Sequence, residues 1–214
     1  ADPERAASYL HELYSRAEPT FTGRATVPVL WDKQRKTIVN NESADIVRML
    51  NSGFGALADE SVDLYPQTLR AEIDGLNERI YPALNNGVYR AGFATTQVAY
   101  EEAYHGVFAM LDELEARLAD GRPFLTGETF TEADIRLFVT LIRFDAAYFG
   151  LFKCNRQRLA DYAALSAYTR RVLDLPGVRE TVSIDHIKHG YYSIKSLNPN
   201  RIVPLGPDLS PLGL

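Results

Sequence analysis

The chain has 214 residues, of which 46% are hydrophobic and 24% charged, so it can bury a sizeable core and is longer than a minimal module. Its net charge of -5 argues against a general surface for nucleic acid or anionic membranes. Cys154 is the single cysteine, which excludes an internal disulfide or an intrachain Cys-x-x-Cys pair and predicts a reducing, cytoplasmic location. The sequence shows no apolar run of membrane-spanning length and no signal peptide at this N-terminus.

The first 52 residues are predicted to form an α-β-β-α unit. Apolar residues recur on one helix face over 4–16, which predicts the first helix. Two short apolar runs, 27–31 and 37–39, flank a polar connection whose length is typical of a β-hairpin. Ser43 is the expected N-cap of a second helix, because apolar residues within 44–50 share one face.

Pro28 and Glu42 bear on whether this unit binds a ligand. Pro28 cannot donate a ladder hydrogen bond, so it fits the start or edge of a strand, and a trans peptide bond is predicted over a cis one. The helix start after Glu42 offers free backbone N–H groups to a ligand carboxylate, while Glu42 can pair with a ligand ammonium. Taken alone, these residues fit an ordinary helix cap with a solvated glutamate better than they fit a ligand-binding site.

The segment that contains Gly53, Gly55 and Pro66 is predicted to be a linker, and the chain after it to be helical. Thr131 and Asp134 are the expected cap of a central helix that is apolar nearly all round. Apolar periodicity predicts helices over 67–84, 95–119, 135–151, 159–174 and 178–189. We therefore predict a partial α/β domain over 1–55, an all-helical domain over 56–194, and a proline-rich extended tail over 195–214 that lies on the surface or on a partner.

Several motifs resemble one known superfamily. A partial α-β-β-α unit with Val27-Pro28 and Glu42-Ser43, followed by a helical domain with GETFTEADI over 127–135, resembles the glutathione transferases. More narrowly, the chain resembles the Xi class, the glutathionyl-hydroquinone reductases, in NNESADI (40–46), NNGVYRAGFA (85–94), RFDAAYF (143–149), FKCN (152–155) and the tail over 186–207. The resemblance implies a mainly α, glutathione transferase-like fold, with an all-helical C-terminal domain preceded by the second half of a thioredoxin-like α/β domain.

The resemblance also implies a reaction. The family uses a cysteine thiolate, carried on an N-terminal Cys-Pro motif, to take glutathione from a glutathionyl-hydroquinone, and a second glutathione regenerates the thiol. This sequence has no Cys-Pro motif, so we expect the nucleophile to be missing from it and this chain alone to be inactive. Glutathione is the expected co-substrate, without a metal, and a homodimer is the expected assembly.

The family's site residues map onto two sets in this sequence. Glutathione is expected to bind Arg24, Ala25, Thr26, Val27, Glu42 and Ser43. Tyr89 is expected to act as the acid/base that faces the quinol oxygen, while Tyr148 and Tyr191 line the site and stabilise the thiolate. Tyrosine suits these tasks, because its hydroxyl can donate to a quinol oxygen or a thiolate and its ring offers an apolar wall to an aromatic substrate.

Two other functions stay open on the sequence: a non-catalytic glutathione transferase-like binding module, and an ordinary conjugating transferase in which serine or tyrosine activates glutathione's own thiol. Cys154 is predicted to be a structural thiol. His186 and His189 are predicted not to bind a metal, because no third ligand is apparent. Asp134 and Asp145 are interpreted as a buried cap and a core charge paired with an arginine, rather than as catalytic carboxylates.

Overall fold

The computed structural model describes residues 7–59 and 61–214. The chain divides into two compact units, the first ending at Tyr65 and the second beginning at Pro66. The boundaries that the sequence predicts, after residue 55 and after residue 194, stay predictions.

The first unit has the predicted α-β-β-α order. Its elements are α1 (Leu10–Ala17), β1 (Leu30–Asp32), β2 (Thr37–Asn40) and α2 (Ser43–Ser52). The two strands pair antiparallel, with Trp31 opposite Ile38, and α1 packs against β2. Residues 4–6 of the first predicted helix lie outside the described residues.

Two local predictions in this unit are wrong. The Val27–Pro28 peptide bond is cis, whereas a trans bond was expected. Ser43 is the first residue of α2 and Glu42 is its N-cap, with extended backbone angles. The cap lies one residue earlier than predicted because the Asn40 side-chain oxygen accepts the Glu42 N–H at 2.6 Å and so holds Glu42 outside the helix.

The second unit is helical, as predicted. Its longer elements are α3 (Arg70–Ile80), α4 (Gly87–Gly92), α5 (Gln97–Leu118), α6 (Glu132–Arg143), α7 (Ala163–Leu173) and α8 (Ile184–Tyr192). The short helix α4 was not predicted. In α3 and α6 the α-helical hydrogen bonding stops before the predicted end of the helix. Each continues as a π-helical turn, over Tyr81–Asn85 and Phe144–Tyr148. Among the described residues, no helix is both long and apolar enough to cross a membrane.

The start of α6 has the predicted cap. Thr131 and Asp134 form a capping box, and Asp134 also accepts the Leu125 N–H and the Tyr168 hydroxyl, both at 2.9 Å. Both capping residues are fully buried. Burial raises the pKa of Asp134, and the hydrogen bonds it accepts oppose that shift. Asp134 is therefore a structural carboxylate, because it caps α6 and also ties this helix to Leu125 and to Tyr168 on α7.

The end of the chain lies on the second unit. Leu209 and Leu212 are buried, and the 3₁₀ turn Ser210–Leu212 packs against α7. The Lys188 ammonium on α8 donates to three backbone carbonyls, those of Pro204, Leu205 and Gly206, at 2.8 to 3.3 Å. The Arg170 and Arg179 side chains donate to the Pro211 and Gly213 carbonyls, at 2.6 and 2.7 Å. Three cations and two apolar side chains thus hold this extended segment.

Candidate functional site

The π-helical turn at the end of α6 sets the direction of Tyr148. The Phe149 N–H donates to the Phe144 carbonyl at 2.8 Å, a five-residue step in place of the four-residue step of an α-helix. Tyr148 is the last residue of this turn. Such turns insert one residue into a helix, so they re-aim every side chain after them.

The other π-helical turn leads into α4 and positions Tyr89. The Asn85 amide donates to the Arg136 carbonyl at 2.9 Å and to the Thr140 hydroxyl at 2.6 Å. These two bonds tie the turn to α6. Tyr89 follows on α4, one helical turn past Asn85, so its backbone is fixed relative to the helix that carries Tyr148.

The three tyrosines that the sequence singled out converge. The Tyr89 and Tyr191 hydroxyl oxygens are 2.5 Å apart, those of Tyr148 and Tyr191 are 2.8 Å apart, and those of Tyr89 and Tyr148 are 3.5 Å apart. Tyr191 comes from α8, which packs against the π-helical turn that carries Tyr148. We call these three residues the tyrosine triad.

The members of the triad differ in exposure. The Tyr148 side chain is almost fully buried, at 2% exposed, whereas Tyr89 is 39% exposed. Burial raises the pKa of Tyr148 well above its ordinary value and that of Tyr191 to about 12. Both of these hydroxyls therefore keep their protons at neutral pH and can act as hydrogen-bond donors.

The Phe152 ring packs against all three tyrosines of the triad. Phe152 was not predicted as a site residue from the sequence. Its ring is fully buried, with its centroid 5.3 Å from the rings of Tyr89 and Tyr148 and 5.7 Å from that of Tyr191. The ring fits because Gly92 has no side chain, since a Cβ there would lie 2.3 Å from it. The FKCN motif includes Phe152, but nothing in the sequence links it to a glycine 60 positions earlier.

The residues predicted to bind glutathione lie in the first unit, where a buried tyrosine brings two segments together. The Tyr14 hydroxyl donates to the Thr26 carbonyl at 2.8 Å and accepts the Thr26 N–H at 3.2 Å. The Asn41 amide donates to the same hydroxyl at 3.2 Å and to the Thr26 hydroxyl at 3.3 Å. Segment 24–27 is thereby fixed beside the residues that precede α2. Tyr14 and Asn41 were not predicted as site residues.

The remaining predicted glutathione ligands are accessible. Arg24, Val27, Glu42 and Ser43 are exposed and Ala25 is partly exposed. Glu42 and Ser43 stand at the N-terminal end of α2, where free N–H groups and the helix dipole favour an anion. These six residues line an exposed edge that can offer backbone hydrogen bonds together with one carboxylate.

Cys154 is a structural thiol, as predicted. The side chain is fully buried, and burial raises its pKa to about 12, so it stays a thiol and is a poor nucleophile. Its backbone N–H donates to the Tyr148 carbonyl at 3.0 Å. The residue therefore braces the end of the π-helical turn.

The contacts of Asp145, His186 and His189 indicate structural rather than catalytic or metal-binding roles. Asp145 accepts the backbone N–H groups of Leu159 and Ala160, at 2.6 and 3.1 Å, and the charge of Arg158 favours its ionised form. Its hydrogen-bond donors are thus backbone groups rather than the arginine side chain that was expected. The His189 ring lies 3.0 Å from the Asp185 carboxylate, and His186 lines an apolar cavity of about 550 Å³ beside α6. Within the described part of the chain, no three histidine, cysteine or acidic side chains are grouped so as to hold a metal.

Comparisons with known proteins identify relatives of the chain. A family profile described as "Glutathione S-transferase, C-terminal domain" matches residues 97–171. The chain is 52% identical to glutathionyl-hydroquinone reductase PcpF of Sphingobium chlorophenolicum over 207 residues, which are 96% of this chain and 66% of that protein. It thus spans about two thirds of the length of such curated relatives.

Solved structures agree in both fold and sequence. The glutathione-bound structure of YqjG from Escherichia coli matches with a TM-score of 0.93 at 48% identity, covering 97% of this chain and 68% of that one. Glutathione transferase Xi 1 from Trametes versicolor matches with a TM-score of 0.93 at 47% identity, covering 97% of this chain and 73% of that one. On the fold, the sequence and the length covered, the chain belongs to the Xi class of the glutathione transferases.

Proposed function

We propose that this protein takes part in the reduction of glutathionyl-hydroquinones to hydroquinones by glutathione. The observation that carries the proposal is the tyrosine triad, in which three phenol hydroxyls converge at an aromatic, half-exposed site. A quinol presents the complementary features, a flat apolar ring with a hydroxyl on its edge. The relatives named as glutathionyl-hydroquinone reductases support the same reaction.

The net reaction exchanges one sulfur bond for another. A thiolate attacks the glutathione sulfur of the substrate, a sulfur–sulfur bond forms, and the sulfur–carbon bond to the aromatic ring breaks. The ring carbon gains a proton in place of sulfur. A second glutathione, as its thiolate, then attacks the glutathione sulfur of this mixed disulfide and displaces the thiolate that acted in the first step, so one hydroquinone and one glutathione disulfide result. Tyr89 exchanges the proton with the quinol oxygen that this ring chemistry requires.

The attacking thiolate is proposed to come from a cysteine outside the printed sequence. Cys154 is a poor candidate because its thiol is buried with a raised pKa. The curated relatives, which are longer than this chain, leave room for such a residue. We expect the printed chain alone to show no turnover. Peptide sequencing of the native protein tests this: a Cys-Pro peptide supports the proposal, and a native mass equal to that of this sequence contradicts it.

Glutathione is proposed to bind along the edge formed by Arg24, Ala25, Thr26, Val27, Glu42 and Ser43. Backbone groups of segment 24–27 suit the peptide part of glutathione. The γ-glutamyl end carries both an ammonium and a carboxylate, which suit the Glu42 carboxylate and the N–H groups at the start of α2. Charge reversal, Glu42→Lys, is expected to weaken glutathione binding at least tenfold by calorimetry, with Glu18→Lys as the control outside this edge.

The reaction is tested by product analysis. The native protein is incubated with a synthetic glutathionyl-hydroquinone and glutathione, and the products are separated by chromatography. Equal amounts of hydroquinone and glutathione disulfide support the proposal, and Tyr89→Phe is expected to lower kcat about 10² to 10⁴-fold. Addition of glutathione to an electrophile without release from the thioether would identify an ordinary conjugating transferase. Binding without either reaction would identify a binding module.

A homodimer and a cytoplasmic location are also proposed, on the sequence alone. Sedimentation velocity of the native protein tests the first: a species of twice the chain mass supports it. Fluorescence localisation in cells of the source organism tests the second.

A further inference from the structure

The burial of Tyr148 determines to which neighbour its hydroxyl donates a hydrogen bond. A buried hydroxyl group without a hydrogen-bond acceptor destabilises the folded state, so the Tyr148 hydroxyl is expected to donate a hydrogen bond to one of its neighbours. Its oxygen lies 2.8 Å from that of Tyr191 and 3.5 Å from that of Tyr89. Hydrogen bonds between hydroxyls span about 2.5 to 3.0 Å. Tyr148 therefore donates to Tyr191.

Tyr191 accepts a hydrogen bond from Tyr148 and in turn donates one to Tyr89. Because its oxygen accepts the Tyr148 proton, its own proton is free to go to Tyr89, whose oxygen is 2.5 Å away. The opposite direction, in which Tyr89 donates to Tyr191 and Tyr191 to Tyr148, would leave the buried Tyr148 proton only the 3.5 Å contact. Tyr89 is the most exposed of the three rings, so its proton is the one that water or a ligand can reach.

We propose that the triad is a directed hydrogen-bond chain, Tyr148 to Tyr191 to Tyr89, in which Tyr89 alone exchanges a proton with a phenol oxygen of the substrate. Tyr191 and Tyr148 are positioning residues that stabilise the Tyr89 phenolate once its proton has left. This inference rests on the proposed function and changes one part of it, since the resemblance assigns Tyr148 and Tyr191 to a thiolate. The ligand class is a phenol or hydroquinone.

Burial is the main cause of the raised pKa of Tyr191, and the charge of one nearby cation opposes it. Arg143, near the end of α6, is the cation whose charge favours the ionised form of Tyr191. The other titratable groups acting on Tyr148 are the two tyrosines themselves. Each hydroxyl that donates into the chain also strengthens the next bond, because linked hydrogen bonds polarise one another. A phenolate at Tyr89 thus receives one short hydrogen bond, supported by a second hydroxyl behind it.

The test places 3,5-difluorotyrosine, an acidic fluorine-labelled tyrosine, at position 89, 148 or 191 and follows its ¹⁹F signal as pH is raised. We expect the probe at 89 to titrate first. Tyr191→Phe should raise the titration midpoint of the probe at 89 by about one to two pH units, the size of a hydrogen bond to a charged group. Tyr148→Phe should raise it by less than half as much, because its effect is transmitted through Tyr191.

Tyr192→Phe is the matched control. Tyr192 is the next residue on α8, and its hydroxyl bonds to the Leu151 backbone rather than to the triad. The probe at 89 should titrate as in the parent protein when Tyr192 is replaced. Circular dichroism at each pH confirms that the probe reports on folded protein.

Three results would overturn the inference: a probe at 148 or 191 that titrates before the one at 89, no shift at 89 in Tyr191→Phe, or an equal shift in Tyr192→Phe. The experiment needs no substrate and no thiolate. If the order of titration is as expected and no hydroquinone forms in the product assay, the proposed reaction fails while the directed chain stands.

Discussion

Replacing Gly92 by alanine is expected to push Phe152 out of its place behind the tyrosine triad. Three atoms of the Phe152 ring lie 2.3, 2.5 and 2.8 Å from the position of the added Cβ, inside the closest approach that side chains tolerate. The ring is fully buried, so it has no solvent to move into. Overpacking of this kind costs about 1–3 kcal/mol, and we expect Gly92→Ala to lower the free energy of unfolding by that amount.

The assay is urea unfolding followed by far-UV circular dichroism, with near-UV circular dichroism of the native state to report on the aromatic cluster. Gly75→Ala is the control. Gly75 lies within α3, and a Cβ there meets nothing within 4 Å, so that variant should gain about 0.5–1 kcal/mol from helix propensity.

A double variant separates the clash from other effects of alanine at position 92. Phe152→Ala removes the three ring atoms that meet the added Cβ, so it should cost less stability in the Gly92→Ala background than in the parent protein. Equal costs in the two backgrounds, or a Gly92→Ala protein as stable as the parent with an unchanged near-UV spectrum, would refute the reasoning.

Three further predictions concern polar groups that are buried or partly buried. Asp134→Ala should lower the free energy of unfolding by at least about 3 kcal/mol in urea titrations, because several buried donors lose their acceptor; a loss below 1 kcal/mol would contradict its role as a cap. The pKa of Tyr191 is raised in the folded state from 10.0 to about 12, so its contribution to stability is complete below pH 10 and lost as pH rises towards 12. Tyr191→Phe should therefore flatten the decline in melting temperature over that range, and an unchanged slope would contradict the assignment. Cys154 should react with iodoacetamide only when urea unfolds the protein, as mass spectrometry can follow; labelling in native buffer would show that the thiol is accessible.

Local patterns predicted most of the helices and the hairpin. Helices α5 and α6 follow from apolar periodicity, and the cap at Thr131 follows from residue type and spacing. The short helix α4 escaped prediction, because six residues that begin and end with glycine carry too little periodicity to be recognised. The cis peptide bond before Pro28 was not predicted either, because a proline permits both isomers and the surrounding fold selects one.

The candidate site was predicted only in part, for a physical reason. Tyr89, Tyr148 and Tyr191 were identified through the resemblance to a family, not through their spacing. The contact between Gly92 and Phe152 joins residues 60 positions apart, and no local rule connects them. Tyr14 falls within the helix predicted over 4–16 from apolar periodicity. Its hydroxyl forms the bonds that fix Thr26, a role that hydrophobic patterning does not distinguish from packing.

The π-helical turn Phe144–Tyr148 makes the direction of Tyr148 depend on the number of residues before it. An α-helix turns by about 100° per residue, so removing one residue from this turn would restore regular α-helix and swing Tyr148 about 100° away from Tyr191. A substitution at Ala146 or Ala147 would leave the count, and hence the direction, intact. The direction of Tyr148 is therefore set by the length of this turn, while the burial of all five of its side chains limits which residues each position accepts.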